Sequence, residues 1–221
     1  MQFHPIRALR TMFGYHATVD KKRRTAPISS TRSEDKQLDI TPRRTLIATA
    51  REQYRNFSVL AWMVREHTNF LSRFEFQPQT DNEDLNKQLE RLTKWRSRRR
   101  NWDITWRFNR QEFMRILEMR RVVDGDIGIV SIPDGHYQAI EGDRIAMPTS
   151  GAGGLPEQQR QTGFAHGVKL NRFGRPLRYI VCKRELTGST NRAGGSTLVF
   201  DKMVNAADMR LLGYYDRFDE V

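Results

Sequence analysis

The chain has 221 residues and carries 38 Lys and Arg against 26 Asp and Glu, a formal net charge of +12. No stretch approaches the roughly 20 uninterrupted apolar residues that a membrane-spanning helix needs, and a single cysteine, Cys182, excludes a disulfide scaffold. Apolar residues at 38% still allow one large globular domain or two small ones.

The chain opens with Met1-Gln2-Phe3-His4-Pro5 and runs into Arg7 and Arg10 without the apolar stretch of a secretory signal. With one thiol, this points to synthesis in a reducing cytosol. Residues 17–40 are rich in Thr, Ser, Lys, Arg and Asp. They hold too few large apolar groups to offset the entropy of ordering them. Residues 1–40 are therefore expected to form a flexible basic arm.

Thr41-Pro42 is a helix start, because Thr41 can accept from an early backbone N–H and Pro42 sacrifices no hydrogen bond in the first turn. Leu46, Ala50, Tyr54, Phe57, Ala61, Val64, Thr68 and Leu71 then recur every three or four residues. So long a stripe predicts two helices, broken at Asn56-Phe57-Ser58 with Ser58 as the new cap. The alternation of Phe74, Phe76 and Pro78 predicts a short strand ending at the proline. Asp81 or Asn82 is positioned to cap another helix, with Leu85, Leu89, Leu92 and Trp95 on one face and charge on the other. Trp102, Ile104 and Trp106 form a connector. The last helix runs from about Arg110 to Val123, turns Phe113, Ile116 and Leu117 inward, and stops at Asp124-Gly125.

The period then changes. Ile127, Ile129, Val130 and Ile132 form a β-branched run, and Pro133-Asp134-Gly135 turns the chain into a return strand over His136–Ile140. Residues 149–163 read as a long Gly-, Ser- and Gln-rich loop. Gly167–Leu170 and Leu177–Lys183 form a second hairpin, in which Asn171 bonds its own backbone and Gly174 takes a positive φ. Thr197–Phe200 is another short strand. Helices precede strands, so the expected class is α+β, N-terminal helices followed by a small antiparallel β-rich region. The expected organisation is the arm over 1–40, a helical region over 41–124 and a β-rich region over 125–221.

The charge is uneven. Residues 1–110 hold 23 Lys and Arg against 12 Asp and Glu, whereas residues 111–221 hold 15 against 14. One cluster is Lys21, Lys22, Arg23 and Arg24; the other is Lys94, Arg96, Arg98, Arg99 and Arg100. A basic run can contact phosphates, or it can be a solvated tail or a helix end favoured by the helix dipole. The second cluster supplies the candidate DNA contacts, because Trp95, Trp102 and Trp106 interleave with it, a pairing of cation and aromatic suited to nucleic acid. The competing reading is that these indoles anchor a helical core.

Other motifs point to structure rather than chemistry. Gly151, Gly153 and Gly154 lack the following Lys and hydroxyl of a phosphate loop. His4, His16, His67, His136 and His166 do not pair at ligand spacing. Asp124 with Asp126, and Glu141 with Asp143, flank glycines where acidic residues serve turn geometry. Cys182 sits beside Ile180 and Val181 as a small buried hydrophobe. No catalytic residue, metal site or cofactor is expected.

The order of segments resembles the lambda-type portal protein family of tailed bacteriophages. The resemblance rests on Ala50–Asn56 and Met63–Phe70 among the helices, then on Gly125–Val130 and Ile140–Ile145. Its most specific part joins Gly167-Val168-Lys169-Leu170-Asn171 to Gly174-Arg175-Pro176-Leu177-Arg178-Tyr179, similar to the family's Gly-Val to Gly-Arg-Pro-x-x-Tyr hairpin. Asp216–Val221 looks like the lead-in to an Arg-Gly segment that this chain does not contain. Together these cover residues 41–221.

The resemblance implies a structural, non-enzymatic protein of the virion. At full length it would form a dodecameric ring at one capsid vertex, where it nucleates head assembly and passes double-stranded DNA during packaging and ejection. Its implied partners are copies of itself, the terminase, which hydrolyses the ATP, and capsid and head–tail connector proteins, with assembly in the bacterial host cytoplasm and no membrane contact. Family members are longer, so the chain is expected to be the N-terminal, wing-type portion. The alternative is a basic nucleic-acid-binding module that forms no ring.

Overall fold

The structure, a computed structural model, describes residues 40–148, 163–184 and 198–215. The arm, the Lys21–Arg24 cluster, the loop over 149–162 with its glycines, and Asp216–Val221 lie outside the described residues. The elements are α1 (Ile40–Asn56), α2 (Ser58–Ser72), α3 (Glu83–Arg96), α4 (Arg99–Trp102) and α5 (Arg110–Asp124). Then come β1 (Asp126–Ser131), β2 (Tyr137–Glu141), β3 (Phe164–Ala165), β4 (Val168–Leu170), β5 (Pro176–Arg184), β6 (Leu198–Asn205) and β7 (Met209–Gly213). Helices precede antiparallel strands, so the class is α+β.

The chain divides into two compact units. Of the described residues, one holds 40–52, 143–148, 163–184, 198–204 and 214–215, and the other holds 53–142 and 205–213.

The unit built on residues 143–204 holds a four-stranded sheet in the order β3-β4-β5-β6. Its core is Ile180, Cys182 and Leu198, with Ala146, Met147, Phe164, Phe200 and Met203 packed around it. The predicted hairpin is present. Asn171 accepts from the N–H groups of Phe173 and Arg175, and Gly174 sits at φ +78°, in the left-handed region that a side chain disfavours. The Cys182 Sγ lies 3.2 Å from the Ala146 carbonyl, and burial pushes the thiol up to about 11. Asp143 takes Arg51 at 3.4 Å and Arg184 at 2.5 Å, so two guanidinium groups meet this one carboxylate.

The unit built on residues 53–142 holds a three-stranded sheet in the order β2-β1-β7. Ile127 pairs with Glu141 on one side and with Leu212 on the other, so β1 is central. Its core is Phe113, Leu117 and Ile127, capped by Trp102, Phe108, Ile129 and Tyr137. Helix α5 starts at a capping box between Asn109 and Glu112 and ends at Gly125, φ +94°. Helix α2 packs on α5 through Val64, Thr68 and Ser72, all buried. The two small hydroxyl residues return their O–H groups to the carbonyls of Arg65 and Asn69, which satisfies them without a partner helix.

Four expectations are corrected. Ser58 does not cap α2: Phe57 is the cap position, extended at φ −109°, and no side chain bonds there. Phe57 N–H still reaches the Gln53 carbonyl, so the helical ladder is interrupted for one residue only. Phe74–Pro78 forms no strand, since no ladder partner lies beside it and Phe74 is instead stacked beneath the Arg110 guanidinium at 4.7 Å. The face of α3 that carries Leu85, Leu92 and Trp95 is exposed, and no residue of α3 is buried. The strand after residue 197 runs to Asn205, and a further strand, β7, follows it.

Candidate nucleic-acid interface

The basic run occupies the end of α3, the cap position Arg98 and the first two residues of α4. Asn82 caps α3 by accepting from the Asp84 and Leu85 N–H groups, and Glu83 and Asp84 suit the positive end of the dipole. At the other end Ser97 returns both its N–H and its hydroxyl to the Thr93 carbonyl. The Ser97 carbonyl then accepts from Arg110 N–H, 3.0 Å, which ties the exit of α3 to the entry of α5.

Asp103 organises the connector that follows. The residue is 3% exposed, and its carboxylate accepts from the N–H groups of Thr105, Arg107 and Phe108 and from the Thr105 hydroxyl. The loop is thereby wound tightly around one anion. Trp106 takes φ +59° there, an uncommon conformation for a residue with a side chain. Its ring is 56% exposed and carries the Arg100 guanidinium at 5.3 Å.

The turn between β1 and β2 clamps the same run. Arg96 donates to the Gly135 carbonyl and lies 5.4 Å from the ring centroids of both Trp102 and Tyr137. His136 Nε2 stands 2.7 Å from the Arg100 carbonyl while Nδ1 faces Asp134 at 2.9 Å. The Arg100 carbonyl, and after it the Asp134 carboxylate, raise the His136 pKa above its ordinary value. Asp134 is lowered in turn, first by the His136 N–H.

The five candidate cations therefore have different surroundings. Arg96 is half-buried and packed on aromatics. Arg99 pairs with Glu112 at 2.8 Å, and this hydrogen bond lowers the Glu112 pKa. Arg100 is stacked on Trp106. Lys94 and Arg98 are exposed, and among the described residues neither has an assigned ion pair. The indoles divide as well: Trp102 anchors the core through Phe113 and Tyr137, whereas Trp95 and Trp106 face outward. Sequence reasoning missed Asp103, Asp134 and His136 as the groups that hold the run. The only local signal was an acidic residue beside a turn.

Among the described residues no three His, Cys, Asp or Glu side chains are grouped to hold a metal ion, and no helix is long and apolar enough to cross a membrane. His67 pairs with Glu118, itself lowered chiefly by Arg121. Asp124 pairs with Arg120.

The fold is α+β, and one buried carboxylate, Asp103, winds the connector that carries the basic run. The family model described as phage portal protein, lambda family, matches residues 21–219, and the chain belongs to that family. Membership gives it a portal role in the phage head, at the capsid vertex of the virion. No curated protein matches the chain.

Proposed function

We propose that the chain acts as a subunit of the dodecameric ring through which double-stranded DNA is packaged and later ejected. Assembly takes place in the bacterial host cytoplasm, and the terminase and the head–tail connector proteins dock on the ring in succession. The observation that carries the reading is the extent of the family match, from residue 21 to residue 219. On this reading the chain performs no chemical step.

DNA contact in this scheme is electrostatic and independent of sequence. Lys94 and Arg98 are the cations with most freedom to meet phosphates, and Arg100 offers its edge beside the exposed Trp106 ring. Arg96 and Arg99 hold the surface that presents them.

Negative-stain electron microscopy of the purified chain tests the reading. Closed rings with an axial opening wide enough for a DNA duplex are expected. Monomers at every concentration, with DNA binding retained, would select the basic nucleic-acid-binding module instead.

A further inference from the structure

Among the described residues, two helices of the unit containing residues 53–142 leave large apolar side chains exposed. Helix α2 buries one side against α5. Its other side carries Val59, Trp62, Met63 and Phe70, at 56, 62, 55 and 82% exposure. Helix α3 carries Leu85, Leu89 and Leu92 at positions i, i+4 and i+7, with Trp95 on the flank. A 14-residue helix with no buried residue lies near the limit at which isolated helices persist in water. Its apolar face needs a partner.

The charges along the two faces match. On α2 Glu66 interrupts the apolar stripe and Arg73 follows its end; on α3 Asp84 lies in the first turn and Arg91 borders the leucines. All four are exposed. Each pair is spaced by seven residues, about 10.5 Å at 1.5 Å per residue. Set antiparallel, the helices bring Arg73 opposite Asp84 and Glu66 opposite Arg91 together. The same register places Phe70 between Leu85 and Leu89, and Trp62 opposite Trp95.

We infer that α3 of one copy docks antiparallel on α2 of a neighbouring copy, with Glu66–Arg91 and Arg73–Asp84 as its ion pairs. The occupant is a second copy of this chain because two different, mutually complementary faces on one subunit are what a head-to-tail contact requires. Repeated with closure, such a contact makes a ring. Either stripe holds only three or four large exposed apolar side chains, well short of the roughly 20–30 residues and about 800 Å² per partner of a stable complex. The pairwise contact is accordingly weak, and ring closure strengthens it. The inference rests on the ring reading and names the surface that would serve it.

Sedimentation velocity on the whole chain, with Glu66→Arg, Arg91→Glu and the double exchange, tests this. Each single exchange places like charges together and should weaken self-association about tenfold or more; the double exchange should restore it. Leu92→Asp, at an exposed position, should abolish assembly while leaving the circular dichroism spectrum unchanged. If the parent chain assembles and the single exchanges do not weaken it, this interface is overturned and the ring reading stands. If the parent chain does not assemble at any concentration, the ring reading fails and the interface with it. If the exchanges change the stability of a monomer instead, the two faces are covered within one chain and the inference is overturned.

Discussion

The Arg96 guanidinium lies 5.4 Å from the Trp102 ring centroid and equally far from that of Tyr137. A half-buried cation of the basic run is thereby packed on the aromatic lid of the core. Arg96→Ala should cost about 1–2 kcal/mol in urea unfolding, from a lost cation–π contact and a lost hydrogen bond. Arg98→Ala, two residues away and exposed, should stay within about 0.5 kcal/mol. Equal costs at the two positions would remove the distinction between them.

The salt dependence of DNA binding should separate the same residues. Replacing Lys94 and Arg98 together by Ala should flatten the slope of log K against log salt by about two units, near 0.9 for each phosphate released. Arg99→Ala should change it less, because its charge is already met by Glu112 at 2.8 Å. An unchanged slope for the double variant would place these cations away from DNA.

Asp103 is the sole anion inside the wound loop, with three backbone N–H groups and one hydroxyl directed at it. Asp103→Ala leaves those donors without an acceptor and should cost about 2–3 kcal/mol. The loop would relax, Trp106 would leave its left-handed conformation, and its fluorescence would shift relative to the parent. A variant as stable as the parent would show that solvent satisfies the donors equally well.

The clamp at His136 should make stability depend on pH. The folded-state pKa is raised by the Arg100 carbonyl and by Asp134, so the fold favours the protonated ring. Its contribution is complete below the ordinary value of about 6.5 and is lost as pH rises through the raised value. Asp134 is lowered, so its share is present above about pH 3.9 and is lost as pH falls through the lowered value. The melting-temperature gap between the parent and His136→Gln should therefore be widest between about pH 4 and 6.5 and close above that range. A gap that does not vary with pH would mean that the ring acts by packing alone.

Much of the fold could be read locally. The break at Phe57, the Asn82 cap, the stop at Gly125 and the hairpin at Gly174 each depend on residues within one turn of the chain. The outward face of α3 could not be read this way. Leucines at helical spacing look the same whether they meet their own core or another molecule. Phe74 and Phe76 alternate as a strand would, but a strand also requires a neighbour, and sequence spacing does not supply one. The candidate site was legible as a basic run; its sorting into clamped and free cations was not. That sorting depends on Gly135, His136 and Glu112, which fold back from later in the chain.

Strand β7 sets an order on synthesis. Ile129 pairs with Ala139 ten residues on, but also with Arg210 on its other side. As the chain emerges N-terminus first, the β1–β2 hairpin is available early, with one edge of β1 open until Met209–Gly213 arrives. The intervening segment that builds the four-stranded sheet must be made in the meantime. A nascent subunit thus carries an unpaired strand edge from the synthesis of Ser131 to that of Met209, the kind of edge on which another strand can pair.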